Sequence, residues 1–158
     1  MEEAVTNTSS LIFIAKLNIF KLAENIFSKI LVPKQVIDEL FAKNKPENNF
    51  IKKELQNFLK EIEIKNVRDF PLDAGEQAAI SLCLEKNVKT FLSDDKKART
   101  YARSLKLETI GTLGILLWNL NHKKITKDDF FVLFKKLIDN GYYLSPNLYS
   151  EVMKLIKE

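Results

Sequence analysis

The chain has 158 residues, with 25 Lys and Arg against 21 Asp and Glu, a formal charge of +4 and a pI of about 9.0. That length fits one domain, and 46% hydrophobic residues can bury one core. One Cys, Cys83, and one His, His122, exclude an intrachain disulfide and a Cys/His zinc site, while the slight positive balance permits an anionic partner such as RNA without requiring one.

Short apolar runs alternate with amphipathic stretches along the chain. Residues 3–7 read as a strand around Ala4 and Val5, and residues 11–15 and 19–27 as helices. Residues 29–32 read as a short strand closed by Pro33, a residue suited to the first turn of the helix that follows. That helix carries Val36, Ile37 and Leu40 on one face. Phe50, Leu55, Phe58 and Leu59 mark another helix. Residues 61–67 alternate Ile62 and Ile64 with charges, the pattern of an edge strand. A helix over 75–85, a strand over 90–93, a helix over 95–105, a strand over 107–110 and a helix over 112–121 follow. Two C-terminal helices, 127–140 and 145–157, complete the chain, with Gly141 after the first and Ser145-Pro146 opening the second. Five strands, each followed by a helix, predict an α/β fold with a parallel sheet covered on both faces. No linker divides the chain, so a single domain is expected over 1–158, including the two helices from about residue 126.

The N-terminus is acidic, with no sign of a signal peptide, and apolar runs such as Ile115 to Trp118 are too short to cross a bilayer. A cytoplasmic protein with no membrane partner is therefore expected. Cys83 lies in an apolar helical context and reads as a buried thiol, and His122 as a helix-end residue.

In open α/β sheets, ligands bind beyond the carboxyl ends of the strands. Here those ends read Asn7-Thr8-Ser9 for the first strand, Ser93-Asp94-Asp95 for the fourth and Gly111-Thr112 for the fifth. Glu39 and Glu76 lie on helices able to face the same crevice. Clustered oxygen ligands suit a hard cation such as Mg²⁺, which in such a crevice clamps a phosphodiester and activates water. Each residue also has a purely structural explanation. Asp94 or Asp95 can cap a helix, Asp95 can pair with Arg99, and Asp73-x-x-Glu76 resembles a capping box. Thr112 can cap its helix, Asn7 can bond a neighbouring turn, and Glu39 can be solvated. Their shared position at one sheet end favours a common site, because caps have no reason to converge. Lys96, Arg99 and Arg103 then form one basic stripe beginning beside that site, a candidate path for phosphates.

Several segments taken together resemble the PIN-domain family, in particular its VapC-like, predicted nucleic-acid-binding subgroup. They are Val5-Thr6-Asn7-Thr8-Ser9-Ser10-Leu11-Ile12, Val32-Pro33 through Val36 to Glu39, and Leu72-Asp73-Ala74-Gly75-Glu76 with Ala79-Ile80. Leu92-Ser93-Asp94-Asp95 through Arg99 and Ala102, Gly111-Thr112-Leu113-Gly114, and Gly141-Tyr142-Tyr143-Leu144-Ser145 through Tyr149 complete the set. The resemblance implies a three-layer α/β/α fold with a five-stranded parallel sheet ordered 3-2-1-4-5. It also implies a metal-dependent ribonuclease acting on single-stranded RNA with Mg²⁺ or Mn²⁺. Asn7, Glu39, Glu76 and the Asp94-Asp95 pair fall at its catalytic positions, with Asn7, Glu76, Asp94 and Asp95 as metal ligands and either aspartate open as the direct one. Thr8, Ser9, Lys96, Arg99, Arg103 and Thr112 are the accompanying substrate-binding candidates. A small antitoxin partner and a homodimer are further implications, the latter served by Phe130, Phe131, Phe134, Tyr142, Tyr143 and Tyr149. Asn7 departs from the family's usual Asp and removes one negative charge from the metal site. A module of the same fold that binds RNA or a protein without cutting is the competing reading. A phosphatase or nucleotide hydrolase finds no support, since neither a Gly-rich phosphate loop nor a nucleophile motif is present.

Overall fold

A computed structural model of the chain describes residues 1–157; the end of the expected domain, Glu158, lies outside the described residues. The elements in chain order are β1 (Ala4–Thr6), α1 (Thr8–Leu17), α2 (Phe20–Glu24), β2 (Ile30–Pro33), α3 (Lys34–Phe41), α4 (Asn48–Glu54) and β3 (Leu59–Ile62). There follow α5 (Ala74–Lys86), β4 (Thr90–Leu92), α6 (Lys96–Ser104), β5 (Glu108–Ile110), α7 (Thr112–Asn121), α8 (Lys127–Asp139) and α9 (Pro146–Lys157). The strands form one parallel sheet in the order β3-β2-β1-β4-β5. This is the expected α/β fold and the expected strand order.

The two-residue period of the strands divides the core. Ala4, Ile30, Val32, Leu59 and Leu92 point into one apolar cluster, shared with α1, α2, α3, α7, α8 and α9. Val5, Leu31 and Phe91 point into the other, which is closed by α5 and α6. Small residues let those two helices lie close to the sheet: Ala78, Ala79, Ala98 and Ala102 are fully buried. Val5 is paired with Leu31 on one side and Phe91 on the other, so β1 is the central strand and its end lies beside the end of β4.

The third strand departs from the sequence expectation. Of Phe58 and Leu59, expected in a helix, the first lies in the turn before β3 and the second opens the strand, which ends at Ile62 rather than running to residue 67. Both side chains are buried, so a two-residue apolar run that looks helical is in fact the entry to an edge strand. Pro33 lies one position earlier than expected. It ends β2 and precedes the first helical residue, with φ −58° compatible with a helix but ψ 142° extended. The helix expected over 19–27 is reduced to α2.

Candidate active site

Asn7 closes β1 and opens α1. Its Oδ1 accepts the Ser10 backbone N–H at 3.2 Å, the ordinary N-cap bond, and its Nδ2 donates to Ser93 Oγ at 2.9 Å. Ser93 Oγ in turn accepts the Asp95 backbone N–H at 3.2 Å. One buried amide therefore joins the ends of the two central strands and fixes the backbone on which the next two acids stand.

Those neighbouring acids turn to different tasks. Asp94 accepts the Ser10 hydroxyl at 2.9 Å, the Thr112 backbone N–H at 2.7 Å and the Thr112 hydroxyl at 2.6 Å. The hydroxyl of the half-buried Tyr142 lies near Asp94. Its own pKa is driven well above the usual tyrosine range by burial first, then by the Asp94 charge. Asp94 is thus a brace holding α1 and α7 together. Asp95 is exposed, caps α6 through a 2.7 Å bond from the Ala98 N–H, and turns its charge toward Glu76.

Glu76 sits in the first turn of α5, only 7% exposed. Burial, then the charges of Asp73 and Asp95, raise its carboxyl from 4.5 to about 7. Asp73 caps the same helix by accepting the Glu76 N–H at 2.8 Å. Across from it, the Thr8 hydroxyl donates to Glu39 Oε2 at 2.8 Å. Gly75 joins the two halves. A Cβ there would lie 3.2 Å from Thr8 Oγ1, 3.3 Å from Glu39 Oε2 and 3.7 Å from Asp73 Oδ1, so the absent side chain lets α5 approach α1 and α3. Glu39 and Asp73 thus flank Gly75, and Asp73 and Asp95 act on Glu76, so the four acids line one side of the molecule near the carboxyl ends of β1 and β4, the candidate crevice.

Residues 3–158 match the family described as "DUF3368: PIN domain". The chain belongs to the PIN-domain family. Among solved structures it is similar to a PilT N-terminus domain protein from the hyperthermophilic archaeon Sulfolobus solfataricus P2, at 17% identity over 75% of this chain and 93% of that chain, with a TM-score of 0.59. It is also similar to the PIN domain endonuclease Utp24, at 8% identity over 70% of this chain and 84% of that one, with a TM-score of 0.56. No curated protein matches the sequence. At these identities the structural likenesses establish the fold.

The other residues singled out in this PIN domain fall in three groups. Thr8 is at the crevice through its bond to Glu39; Ser9 is exposed on the first turn of α1. Thr112, a substrate-binding candidate, is fully buried with its hydroxyl on Asp94. Lys96 and Arg103 are exposed on α6. Arg99 is half-buried and donates to the Ser93 carbonyl at 3.1 Å rather than pairing with Asp95. Among the described residues Lys34–Asp38 is the only ion pair, so none of the crevice acids is in one. Sequence reasoning left Ser10 and Tyr142 out of the site and took Asp73 only as a cap. Asp73-x-x-Glu76 was the available signal for the last, whereas Tyr142 reaches Asp94 only through the tertiary fold. Cys83 is buried away from the crevice, its thiol pushed up to about 12, and His122 ends α7 stacked on Trp118. No described helix is long and apolar enough to cross a membrane.

The donor chemistry of the crevice fits a hard divalent cation. It offers only oxygens, and Glu76, raised by burial first and then by the charges of Asp73 and Asp95, has no ion-pair partner among the described residues. Among the described residues no three acids come close enough to cage an ion. Mg²⁺ commonly keeps part of its water shell and is held through one or two carboxylates, a number that Glu76 and Asp95 could supply.

Proposed function

We propose that this PIN domain is a divalent-metal-dependent endoribonuclease that cuts single-stranded RNA. The observation that carries the reading is the gathering of Glu76, Asp95, Asp73 and Glu39 near the switch point of the sheet, with none of them in an ion pair among the described residues. Glu76 and Asp95 would hold Mg²⁺ or Mn²⁺, with Glu39 and the Asn7 carbonyl oxygen at the margin. Such an ion supplies charge neutralisation at the phosphate and a water acidic enough to attack it. The chain's own work is positional. Asn7 and Ser93 align the ends of β1 and β4, Asp94 fixes α7 against them, and Asp95 is left with one oxygen outside its cap bond.

The test is cleavage of a labelled single-stranded RNA with Mg²⁺ or Mn²⁺, repeated with chelator and with Asp95→Asn. Cutting should require metal and fall at least about a hundredfold in the variant. Cutting that survives both treatments refutes the reading. In a VapC-like setting the enzyme would be a cytoplasmic toxin acting as a homodimer and held by a small antitoxin protein. Phe130 and Phe134 are core residues, which leaves Tyr143 and Tyr149 as the exposed aromatics for a dimer contact. Light scattering on a sizing column should give twice the monomer mass.

One observation favours a second reading, a PIN module that binds RNA or a protein partner without cutting. Asn7 is uncharged, its oxygen already accepts from Ser10, and among the described residues no three acids close on one point. RNA binding with no cleavage under either metal would support it.

A further inference from the structure

A groove of about 200 Å³ runs from the Thr8–Glu39 bond along the outside of the crevice. One wall is a single stripe of α1: Thr8, Ile12 and Lys16 recur every four residues and so share a face. The opposite wall is the end of α3 and the loop after it, with Leu40, Lys43 and Lys45. That loop is built rather than loose. Asn48, itself buried, donates its side-chain amide to the Lys43 carbonyl at 2.7 Å and its backbone N–H to the Lys45 carbonyl at 3.1 Å. Two lysines are thereby presented from a pinned turn, facing a third on a helix.

Lys16, Lys43 and Lys45 are exposed, and none forms an ion pair among the described residues. The groove's acids are Glu39, which holds the Thr8 hydroxyl, and Glu47, which is buried. Three lysines against two carboxylates leave a positive balance, and the floor of Ile12 and Leu40 is apolar. Cationic walls over an apolar floor suit a phosphate–sugar unit, with charge held at the rim and the ring lying on carbon.

We propose that this groove is a backbone subsite of the nuclease, in which Lys16, Lys43 and Lys45 hold phosphates of single-stranded RNA next to the scissile one. The strand then enters over α1 and the α3–α4 loop and reaches the acids past Glu39. The inference rests on the ribonuclease reading and specifies where its substrate lies.

The experiment measures anisotropy of a labelled single-stranded RNA in chelator, where nothing is cut, across a salt series. Cleavage with metal is measured in parallel. Lys16→Ala/Lys43→Ala/Lys45→Ala should weaken binding by about tenfold or more at low salt and flatten the salt slope by up to about 2, at roughly 0.7 per lost phosphate contact. The three side chains are exposed, so the melting temperature should hold, and the single variants should each show part of the loss. The α6 pair Lys96→Ala/Arg103→Ala should lose less. Unchanged affinity and slope in the triple variant, with the wild type binding and cutting, overturns the groove and leaves the nuclease standing. A loss seen with RNA but absent with DNA of the same sequence also overturns it, because the groove would then read ribose hydroxyls rather than phosphates. A wild-type chain that neither binds nor cuts RNA removes both proposals.

Discussion

Thr112 grips Asp94 twice, with its backbone N–H at 2.7 Å and its hydroxyl at 2.6 Å. Ser10 adds a third donor to the same carboxylate and Tyr142 lies near it, so the two adjacent aspartates are predicted to respond differently to amide substitution. Asp94→Asn turns an amide N–H₂ toward donors and should destabilise the fold by about 2 kcal/mol or more. Asp95→Asn keeps a good N-cap for α6 and should change stability by less than about 0.5 kcal/mol, while abolishing the stabilisation that Mg²⁺ provides. Urea melts with and without Mg²⁺ check both. Equal destabilisation by the two variants would show that the division of labour is wrong.

Glu76 makes stability depend on pH. Its folded pKa of about 7 lies above the ordinary 4.5, so between those values the folded chain keeps a proton that the unfolded chain has released. Stability in chelator should therefore fall as pH rises through that window and level off above it. A shift of this size corresponds to a loss of the order of 3 kcal/mol. Glu76→Gln should remove the slope and be the more stable form at pH 8, and Mg²⁺ should flatten the wild-type curve by favouring the charged carboxylate. Parallel pH profiles for the two proteins would count against the shift.

Gly111 stands where a side chain has no room. A Cβ at this position would lie 2.6 Å from Asp94 Oδ1 and 3.4 Å from the Ser93 carbonyl. Its φ of −107° is open to any residue, so the conflict is one of space alone. Asp94 cannot swing away without releasing Thr112 and Ser10. Gly111→Ala is expected to destabilise by about 1–3 kcal/mol, visible as a lower thermal midpoint. Gly75→Ala presses on Thr8 and Glu39 at 3.2 and 3.3 Å, where a small yield suffices. It should affect cleavage more than stability.

The sheet was legible because β1, β2 and β4 are short apolar runs between Pro, Asn and Asp signals, and parallel pairing follows once helices separate them. β3 was not. Phe58 and Leu59 fit a helical face as well as a strand end, and only pairing with β2 decides between them. The crevice was legible as a place, since Asn7, Glu76 and the Asp94-Asp95 pair follow from the strand ends. The roles within it were not. Adjacent aspartates differ only in what the fold brings to them: Thr112 and Tyr142 come to Asp94, and Glu76 comes to Asp95. Arg99 likewise satisfies its i,i+4 spacing to Asp95 and still bonds Ser93, which a helical period cannot show.

Asn7 gives the sharpest test of how the metal site is balanced. Its oxygen accepts from Ser10, a bond that aspartate would keep, and its nitrogen donates to Ser93 Oγ, a bond that aspartate would lose. The Ser93 hydroxyl proton is able to reverse that bond and donate to a carboxylate, so Asn7→Asp need not break the link between β1 and β4. What changes is charge. A negative charge at the buried Asn7 position, joined through Ser93 to the backbone of Asp95, adds to the acids around Glu76 and has no ion-pair partner among the described residues, so in chelator the variant should melt below the wild type and push Glu76 higher still. With millimolar Mg²⁺ the order should reverse, because the added ligand charge tightens the ion and linkage returns the difference as stability. Thermal melts of both proteins across a Mg²⁺ titration, with RNA cleavage measured alongside, read this directly. A variant that remains the less stable form at every Mg²⁺ concentration, and cuts no faster, would place the ion away from Asn7.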